Sequence, residues 1–541
     1  MSVALQQKPV AAQKAPASRL PSPRTRETLL ILVTGAALLG LWQLSAHYQV
    51  AGAGTLPSPW GVLNQLVADG DMYVANITAT LSEAVPGFVL GSLTAVIVGV
   101  LFAEFSWLER LFSGSCVALL CAPMIALAPI FYVIFTPYME KMLLATIAAF
   151  FPVLVATMAG LKSADPMMMD VVRSCGGRTL TVIAKVKIRS AVPSIASGVQ
   201  IAFPSAILGA ILGEFAGGED GLGVFMMNSL AQFNPERTWG AGIVATILGT
   251  VGFALFGVIQ RRLAAGQAIA LSSAPLFNDA TGLARRTTRL LLWMASVAIL
   301  IGGWWASLKL LGVNSYFGKT PADVFRFLVF DDGKDGQARA ELWHALGQTL
   351  PAAVIGAAFG LAVAYIAAVG FLRSRTLARL IMPLAMVLQS VPLQAMTPLI
   401  VVILGRGMFA SVVVAVLVCF FPSVVLITFG LRDVPRSAVD VFHSMNANEL
   451  TQIAKLRTPA ALPKIFGAAR IGLPGALMGV LVAEYLATGQ GVGFMLSYSA
   501  AQSKYTGLWA ATVIITVISV AMYTGVARAE RWAERRYGGH R

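Results

Sequence analysis

The side chains best suited to metal or nucleophilic chemistry in this 541-residue chain are four histidines (His47, His344, His443, His540) and four cysteines (Cys116, Cys121, Cys175, Cys419). The histidines lack a His-x-x-x-His pattern and the cysteines lack a metal-knuckle spacing. Three of the cysteines lie in apolar runs, where a thiol packs as a small hydrophobe. The nearest match to a phosphate-cradling loop, Gly312 to Gly318-Lys319-Thr320, places five residues between its glycines where the loop needs four, and no strand precedes it. No metal site, bound cofactor or catalytic constellation is therefore expected. What remains are polar side chains inside apolar runs: Glu214 and Glu484, each just before a glycine-rich loop, and Gln389, Ser390, Gln394 and Thr397. Such groups are expensive in hydrocarbon and should face protein or water. They are candidates for a pathway or gate.

The elements that must hold them are long and apolar. The chain is 57% hydrophobic and 12% charged, with a mean hydropathy of +0.75, far from a soluble average. Twelve stretches can cross a hydrocarbon core of about 30 Å. They lie near 27–48, 77–103, 112–135, 142–161, 193–217 and 238–260, then near 289–311, 345–371, 377–404, 408–430, 465–487 and 507–527. The two sets are copies of one unit. Phe151-Pro152, Asp170-Val171, Ser174, Glu214, Gly221, Gly223 and Trp239 match Phe421-Pro422, Asp440-Val441, Ser444, Glu484, Gly491, Gly493 and Trp509, 270 residues on. Upstream the offset is 269: Thr80-Leu81, Gly87, Gly91, Pro123 and Pro129 match Thr349-Leu350, Gly356, Gly360, Pro392 and Pro398. A repeat of this length makes a pseudo-symmetric pair of domains. The expected fold is an all-α polytopic membrane protein of about twelve transmembrane helices in two tandem six-helix halves. Residues 1–26 read as a disordered tail, 27–265 as the first half, 266–288 as a linker, 289–530 as the second half and 531–541 as a basic tail.

The formal charge of +15 is explained by topology. Lys8, Lys14, Arg19, Arg24 and Arg26 precede the first span; Lys162, Arg173, Arg178, Lys185, Lys187 and Arg189 follow the fourth; Arg261, Arg262, Arg285 and Arg286 join the halves. Arg373, Arg375, Arg432, Arg436, Lys455, Arg457 and Lys464 continue the series, and Arg528, Arg531, Arg535, Arg536 and Arg541 end it. All fall on one side, while Asp69, Asp71, Glu219, Asp220, Asp331, Asp332 and Asp335 fall on the other. This positive-inside pattern places both termini in the cytoplasm and removes the need to invoke a nucleic-acid partner. The polar leader lacks the apolar core and cleavage site of a signal peptide.

Each half carries one long basic loop after its fourth span, from about Lys162 to Val192 and from about Arg432 to Leu462. A simple turn needs far fewer residues. Leu180, Ile183, Ala184 and Ile188, and likewise Leu450, Ile453 and Ala454, follow helical spacing. Gly176 and Asn446 stand at matched positions just before those helices, and both residue types adopt positive φ readily. A solvated amphipathic loop is the simpler reading. Duplication in register favours a docking surface for two copies of a symmetric partner.

These residues resemble the binding-protein-dependent ABC importer permeases of the type I fold. The family's cytoplasmic signature runs Glu-Ala-Ala, three residues, Gly, nine or more residues, then Leu-Pro. Here it reads Asp170-Val171-Val172-Arg173-Ser174-Cys175-Gly176 on to Pro193, and Asp440-Val441-Phe442-His443-Ser444-Met445-Asn446 on to Pro459 and Pro463. Leu56-Pro57-Ser58-Pro59, Ala149-Phe150-Phe151-Pro152, Ala483-Glu484 and Gly491-Val492-Gly493 resemble the nitrate/sulfonate/taurine permease group. The resemblance covers about 56–260 and 320–528, with type-1 transmembrane cores near 73–260 and 342–528. Asp replaces the acidic Glu twice, Val and Phe replace alanines, Asn446 replaces the second glycine, and Arg189 stands where the second half keeps Pro459. Most relatives are single domains that dimerise, whereas here two are fused.

The resemblance implies a permease subunit of an ATP-driven importer in the bacterial inner membrane, itself not an enzyme. The coupling residues would be Asp170, Ser174, Gly176, Leu180 and Lys185, with Asp440, Ser444, Asn446, Leu450 and Lys455. They would seat in two ABC ATPase subunits, expected as a homodimer, which bind the ATP. A periplasmic binding protein would deliver a small solute of the nitrate, sulfonate, taurine or related organic kind. The rival is a twelve-helix secondary transporter working without an ATPase. Such a protein of the major facilitator type carries a Gly/Asp/Arg-rich motif after its second span, where this chain has Phe105-Ser106-Trp107-Leu108-Glu109-Arg110.

The copies differ in the third span of each half. Gln389, Ser390, Gln394 and Thr397 of the second half face mainly apolar residues at matched positions of the first, including Leu120, Cys121, Ile125 and Ala128. The expectation is a path with one polar wall; interhelical hydrogen bonding is the structural alternative. Gln389→Leu and Gln394→Leu should lower solute uptake in a transport assay, and unchanged uptake with both would remove the polar wall.

Overall fold

The computed structural model describes residues 35–37, 39–48, 56–263, 284–330, 336–374, 376–378, 381 and 397–537. Among them every regular element is helical. The chain is an all-α polytopic membrane protein: nine described helices are long and apolar enough to cross a bilayer, ten if one bent pair counts as a span. The expected first and ninth spans lie only partly within the described residues, and Gln389, Ser390 and Gln394 lie outside them.

In the first half, α1 (39–47) leads to the short α2 (Pro59–Ala68). The long α3 (Gly70–Glu104) follows, then the bent pair α4 (Ser106–Cys121) and α5 (Met124–Ile134), and α6 (Pro137–Lys162). The loop holds α7 (Pro166–Ser174) and α8 (Thr179–Val182), and a π-helical turn over Ile183–Lys187 feeds α9 (Ile188–Ala216). Helices α10 (Leu222–Ala231) and α11 (Pro235–Leu263) complete it. The second half repeats the order as α12 (Ala284–Leu310), α13 (Pro321–Val329), α14 (Gly336–Arg373), α15 (Thr397–Leu404) and α16 (Met408–Arg432). Its loop holds α17 (Arg436–Ser444), α18 (Glu449–Gln452) and a π turn over Ile453–Arg457. Then come α19 (Thr458–Ala483), a second π turn over Glu484–Thr488, α20 (Gly491–Ala501) and α21 (Tyr505–Tyr537).

Helix packing within each half depends on matched small residues. A Cβ on Gly87 of α3 would sit 2.6 Å from the Met142 carbonyl of α6. One on Gly360 of α14 would sit 2.9 Å from the Cys419 Cβ of α16. In lipid, where apolar burial gives no net drive, such close backbone approach supplies the packing energy. The α4–α5 pair bends by 94° around Ala122-Pro123, since Pro123 cannot continue the helical ladder.

The halves interlock. Helix α12 packs on α4 of the first half: the Ser115 amide donates to Ser296 Oγ at 2.8 Å, and Ser115 Oγ donates to the Ser296 carbonyl at 3.0 Å. Thr512 Oγ1 of α21 donates to the Ala126 carbonyl of α5 at 3.0 Å. Around that contact, Ile125, Ala126, Ile130 and Leu212 join Leu477, Val480, Leu481 and Val492 in one buried cluster.

Short α2 is capped by Ser58, whose Oγ accepts from the Gly61 amide at 3.0 Å. It is tied to α11 by an Asp69–Arg237 ion pair of 2.7 Å. The hydrogen bond from Arg237 holds the Asp69 carboxyl below its ordinary value of 3.8. A depressed carboxylate contributes stability that is present above the unfolded value and lost as pH falls through the folded one. Acidification below about pH 4 should loosen α2, read as a change in tryptophan emission near Trp60. Asp69→Asn should abolish that acid-dependent change, and an identical transition in the variant would remove the tie as its cause.

Candidate functional site

Glu214 and Glu484 end matched spans and are almost fully buried, at 2% and 4% exposure. Glu214 accepts from Thr80 Oγ1 at 2.6 Å and from the Gly223 amide at 2.5 Å. Thr80 Oγ1 accepts in turn from the Leu222 amide at 2.9 Å. Glu484 accepts from Thr349 Oγ1 at 2.7 Å and from the Gly493 amide at 3.0 Å, and the Val492 amide donates to Thr349 Oγ1 at 2.9 Å. Each carboxylate thus sits over the first turn of a short helix, α10 or α20, whose opening amides have no intrahelical acceptor and favour negative charge. A fourth member differs between halves. Asn76 Oδ1 accepts from the Gly221 amide at 3.0 Å, and Gln348 Oε1 accepts from the Gly491 amide at 2.9 Å. Gly221 and Gly491 have φ of +124° and +82°, and a Cβ on either would run into the glutamate carboxyl. The arrangement fastens the glycine-rich loop to the second span of its own half.

The two basic loops form the other matched pair. Gly176 has φ +80° and Asn446 φ +53°, the left-handed turn expected at both positions. The Gly176 amide donates to the Arg173 carbonyl and the Asn446 amide to the His443 carbonyl, both at 2.9 Å. Ser174 Oγ donates to the Val171 carbonyl and Ser444 Oγ to the Val441 carbonyl, both at 2.8 Å. Asp170, Ser174, Gly176, Leu180, Lys185, Asp440, Ser444, Asn446, Leu450 and Lys455 are all exposed. Leu180 is 78% exposed and Leu450 56%, both at the start of the second short helix. The same apolar side chain is thus held out at the same place in both copies.

The loops are fixed to the bundle by different pairs. In the first half Lys187 bonds Glu104 at 2.7 Å and Lys162 bonds Glu109 at 2.6 Å. The matching position to Glu104 is Arg373, so the second half cannot form the first pair. Arg373 lies 3.5 Å from Glu449 of the short helix α18, and Arg457 donates to the Leu431 carbonyl at 3.1 Å.

Sequence reasoning overlooked one cluster. Lys141 Nζ lies 2.8 Å from Glu83 Oε1, with both side chains buried. Glu140, next to Lys141, is wholly buried. The expected span begins near 142, but the helix begins at Pro137 and carries the charges at 140 and 141 inside it. A lone acid at position 83 within an apolar run was the available signal. Of the expected polar wall, Thr397 is described, and it is fully buried at the start of α15.

Comparison with known proteins gives the family. The model described as binding-protein-dependent transport system inner membrane component matches residues 87–267 and again 345–538. A probable ABC transporter permease protein of Haemophilus influenzae is 29% identical over 185 residues, covering 34% of this chain and 76% of its own length. A formylaminopyrimidine transport permease protein of Halalkalibacterium halodurans is 28% identical over 228 residues, covering 42% and 91%. A putative aliphatic sulfonates transport permease protein of Bacillus subtilis is 25% identical over 236 residues, covering 43% and 85%. Each relative is matched over 76% to 91% of its own length by less than half of this chain, and the two family matches place two such units in tandem.

The glutamate–threonine–amide arrangement is testable without a substrate. Thr349→Val keeps the side-chain shape but leaves Glu484 and the Val492 amide short of a partner. The cost should be about 2 kcal/mol, read as a lower thermal unfolding midpoint in detergent. Thr80→Val should behave alike, and unchanged midpoints in both would deny the arrangement a structural role.

Proposed function

The chain belongs to the family of binding-protein-dependent transport system inner membrane components, and from that premise we propose how it works as an ABC importer permease of the nitrate/sulfonate/taurine group. It is a multi-pass membrane subunit and not itself an enzyme. ATP is bound and hydrolysed by two separate ATPase subunits, one on each basic loop, and no cofactor is held by this chain. The loops and both termini lie in the cytoplasm, the membrane is the bacterial inner membrane, and a periplasmic binding protein delivers the solute to the opposite face.

One observation carries this reading: the same exposed helix–turn–helix is built twice, in register, around Gly176 and Asn446. A pair of closing ATPase subunits presents two like grooves, and two like projections answer them. Packed bundles have a few discrete arrangements, and a partner that binds one better shifts the population toward it. Here the ion pairs from loop to span, Lys187–Glu104 in one half and Arg373–Glu449 in the other, would pass that shift to the helices. The differing links imply two docking sites of unequal strength. Glu214 and Glu484 then serve as fastenings that keep each far-end loop moving with its own half. A secondary transporter working alone gives no reason for the paired loops.

The reading is tested by co-purifying the chain with its cognate ATPase. Leu180→Glu and Leu450→Glu, each placing a charge on an anchoring contact, should reduce recovered ATPase about ten-fold or more. Full recovery in the double variant, or uptake that persists without the ATPase, would refute docking at these loops.

A further inference from the structure

We propose that Glu83 and Glu140 form a binding site for a solute bearing N–H donors, a neutral or cationic nitrogenous molecule rather than a simple anion. This solute class presupposes the importer reading above and narrows it.

Three oxygens define the site. Glu140 is wholly buried, and neither of its carboxylate oxygens has a hydrogen-bond partner; Glu83 Oε2 is buried and unpartnered too. Glu83 Oε1 accepts from the Lys141 ammonium at 2.8 Å. Burying a carboxylate without a donor is costly, and at the two matched span-end acids the chain avoids it: both oxygens of Glu214 and both of Glu484 are engaged. The scaffolding acids are saturated, and Glu140 is not.

The fold itself does not require these acids. By the repeat, Glu83, Glu140 and Lys141 correspond to Ala352, Ala410 and Ser411. Ala410 packs with Val401, Val414 and Ala483 in an ordinary apolar cluster. The first half has also trimmed the neighbouring span to admit the charged group. Gly213 and Gly218 stand where the second half has Ala483 and Thr488. A Cβ on Gly213 would lie 3.0 Å from Lys141 Cγ, and one on Gly218 3.2 Å from Lys141 Nζ.

The site also lies where the halves meet. Tyr485 of the second half, packed against the apolar cluster that joins the halves, comes within electrostatic reach of Glu140. Parting of the halves would draw Tyr485 away from Glu140. With Lys141 committed to Glu83, the unpartnered oxygens at 83 and 140 offer acceptors to an amine, amide or ring N–H and leave no free ammonium to hold nitrate or a sulfonate.

The experiment uses the full importer, with its ATPase and binding protein, in membrane vesicles. Uptake of a formylaminopyrimidine is compared with uptake of ethanesulfonate. Wild type should take up the former and not the latter, and Glu140→Ala, which installs the residue of the second half, should cut uptake about ten-fold with ATPase assembly intact. Should Glu140→Ala fail to accumulate, Glu140→Gln decides by the same readout. Uptake of ethanesulfonate, formylaminopyrimidine uptake within two-fold of wild type in the variant, or an assembled ATP-hydrolysing complex that moves neither probe would each overturn the site while leaving the importer standing. Failure of the wild-type chain to assemble with its ATPase would instead overturn the importer reading, and the site with it.

Discussion

In hydrocarbon no water completes a broken backbone, so every helix start buried there needs an acceptor from the protein. That constraint shapes the far end of both halves. The amides opening α10 and α20 are met by a threonine from the second span and a glutamate from the fifth. Once a carboxylate sits over those amides, the glycine-rich loop before them is fixed in shape, and positions 221 and 491 admit no side chain. A span end and the loop that follows it become one corner with a helix 142 or 143 residues earlier. A corner of this kind lets each half move as a body, which a mechanism of rocking halves demands.

The two halves keep that corner and the loop at the other end, but they diverge between. The near-end loops share their turn and their exposed leucines while resting on unlike ion pairs, because Glu104 in one copy is Arg373 in the other. The buried charges of the first half, at 83, 140 and 141, are small residues in the second. On the reading proposed above, symmetry is preserved where two copies of a partner would be met and lost where a single solute would pass. A homodimeric permease cannot make that distinction, since any residue placed on one wall appears on the other.

Much of this was legible from residue types alone. The repeat exposed the two halves, and the pairing of glycine with asparagine at 176 and 446 announced a left-handed turn, because few other residues tolerate it. The matched Thr80 and Thr349 were visible as repeats, yet their task was not. Nothing local says that a hydroxyl in the second span will reach a carboxylate 134 or 135 residues later. The Glu83–Lys141 pair was hidden for a different reason. Charges near the end of an apolar run look like a boundary with water, and only the helix start at Pro137 shows that they were carried inward. The crossing of α12 onto α4 was equally unreadable, since the serines that join them are commonplace in any span.

That crossing bears on how the molecule is made. The amide of Ser115 waits for the hydroxyl of Ser296, which is translated 181 residues later. The seam along α4 therefore closes only once the helix that begins the second half has been made. Were that helix on another chain, the seam would remain open until a partner diffused to it, at a rate set by expression level. On one polypeptide its local concentration is set by the tether instead, so each ribosome that finishes this message delivers a matched pair, in one-to-one ratio and on the correct side of the seam.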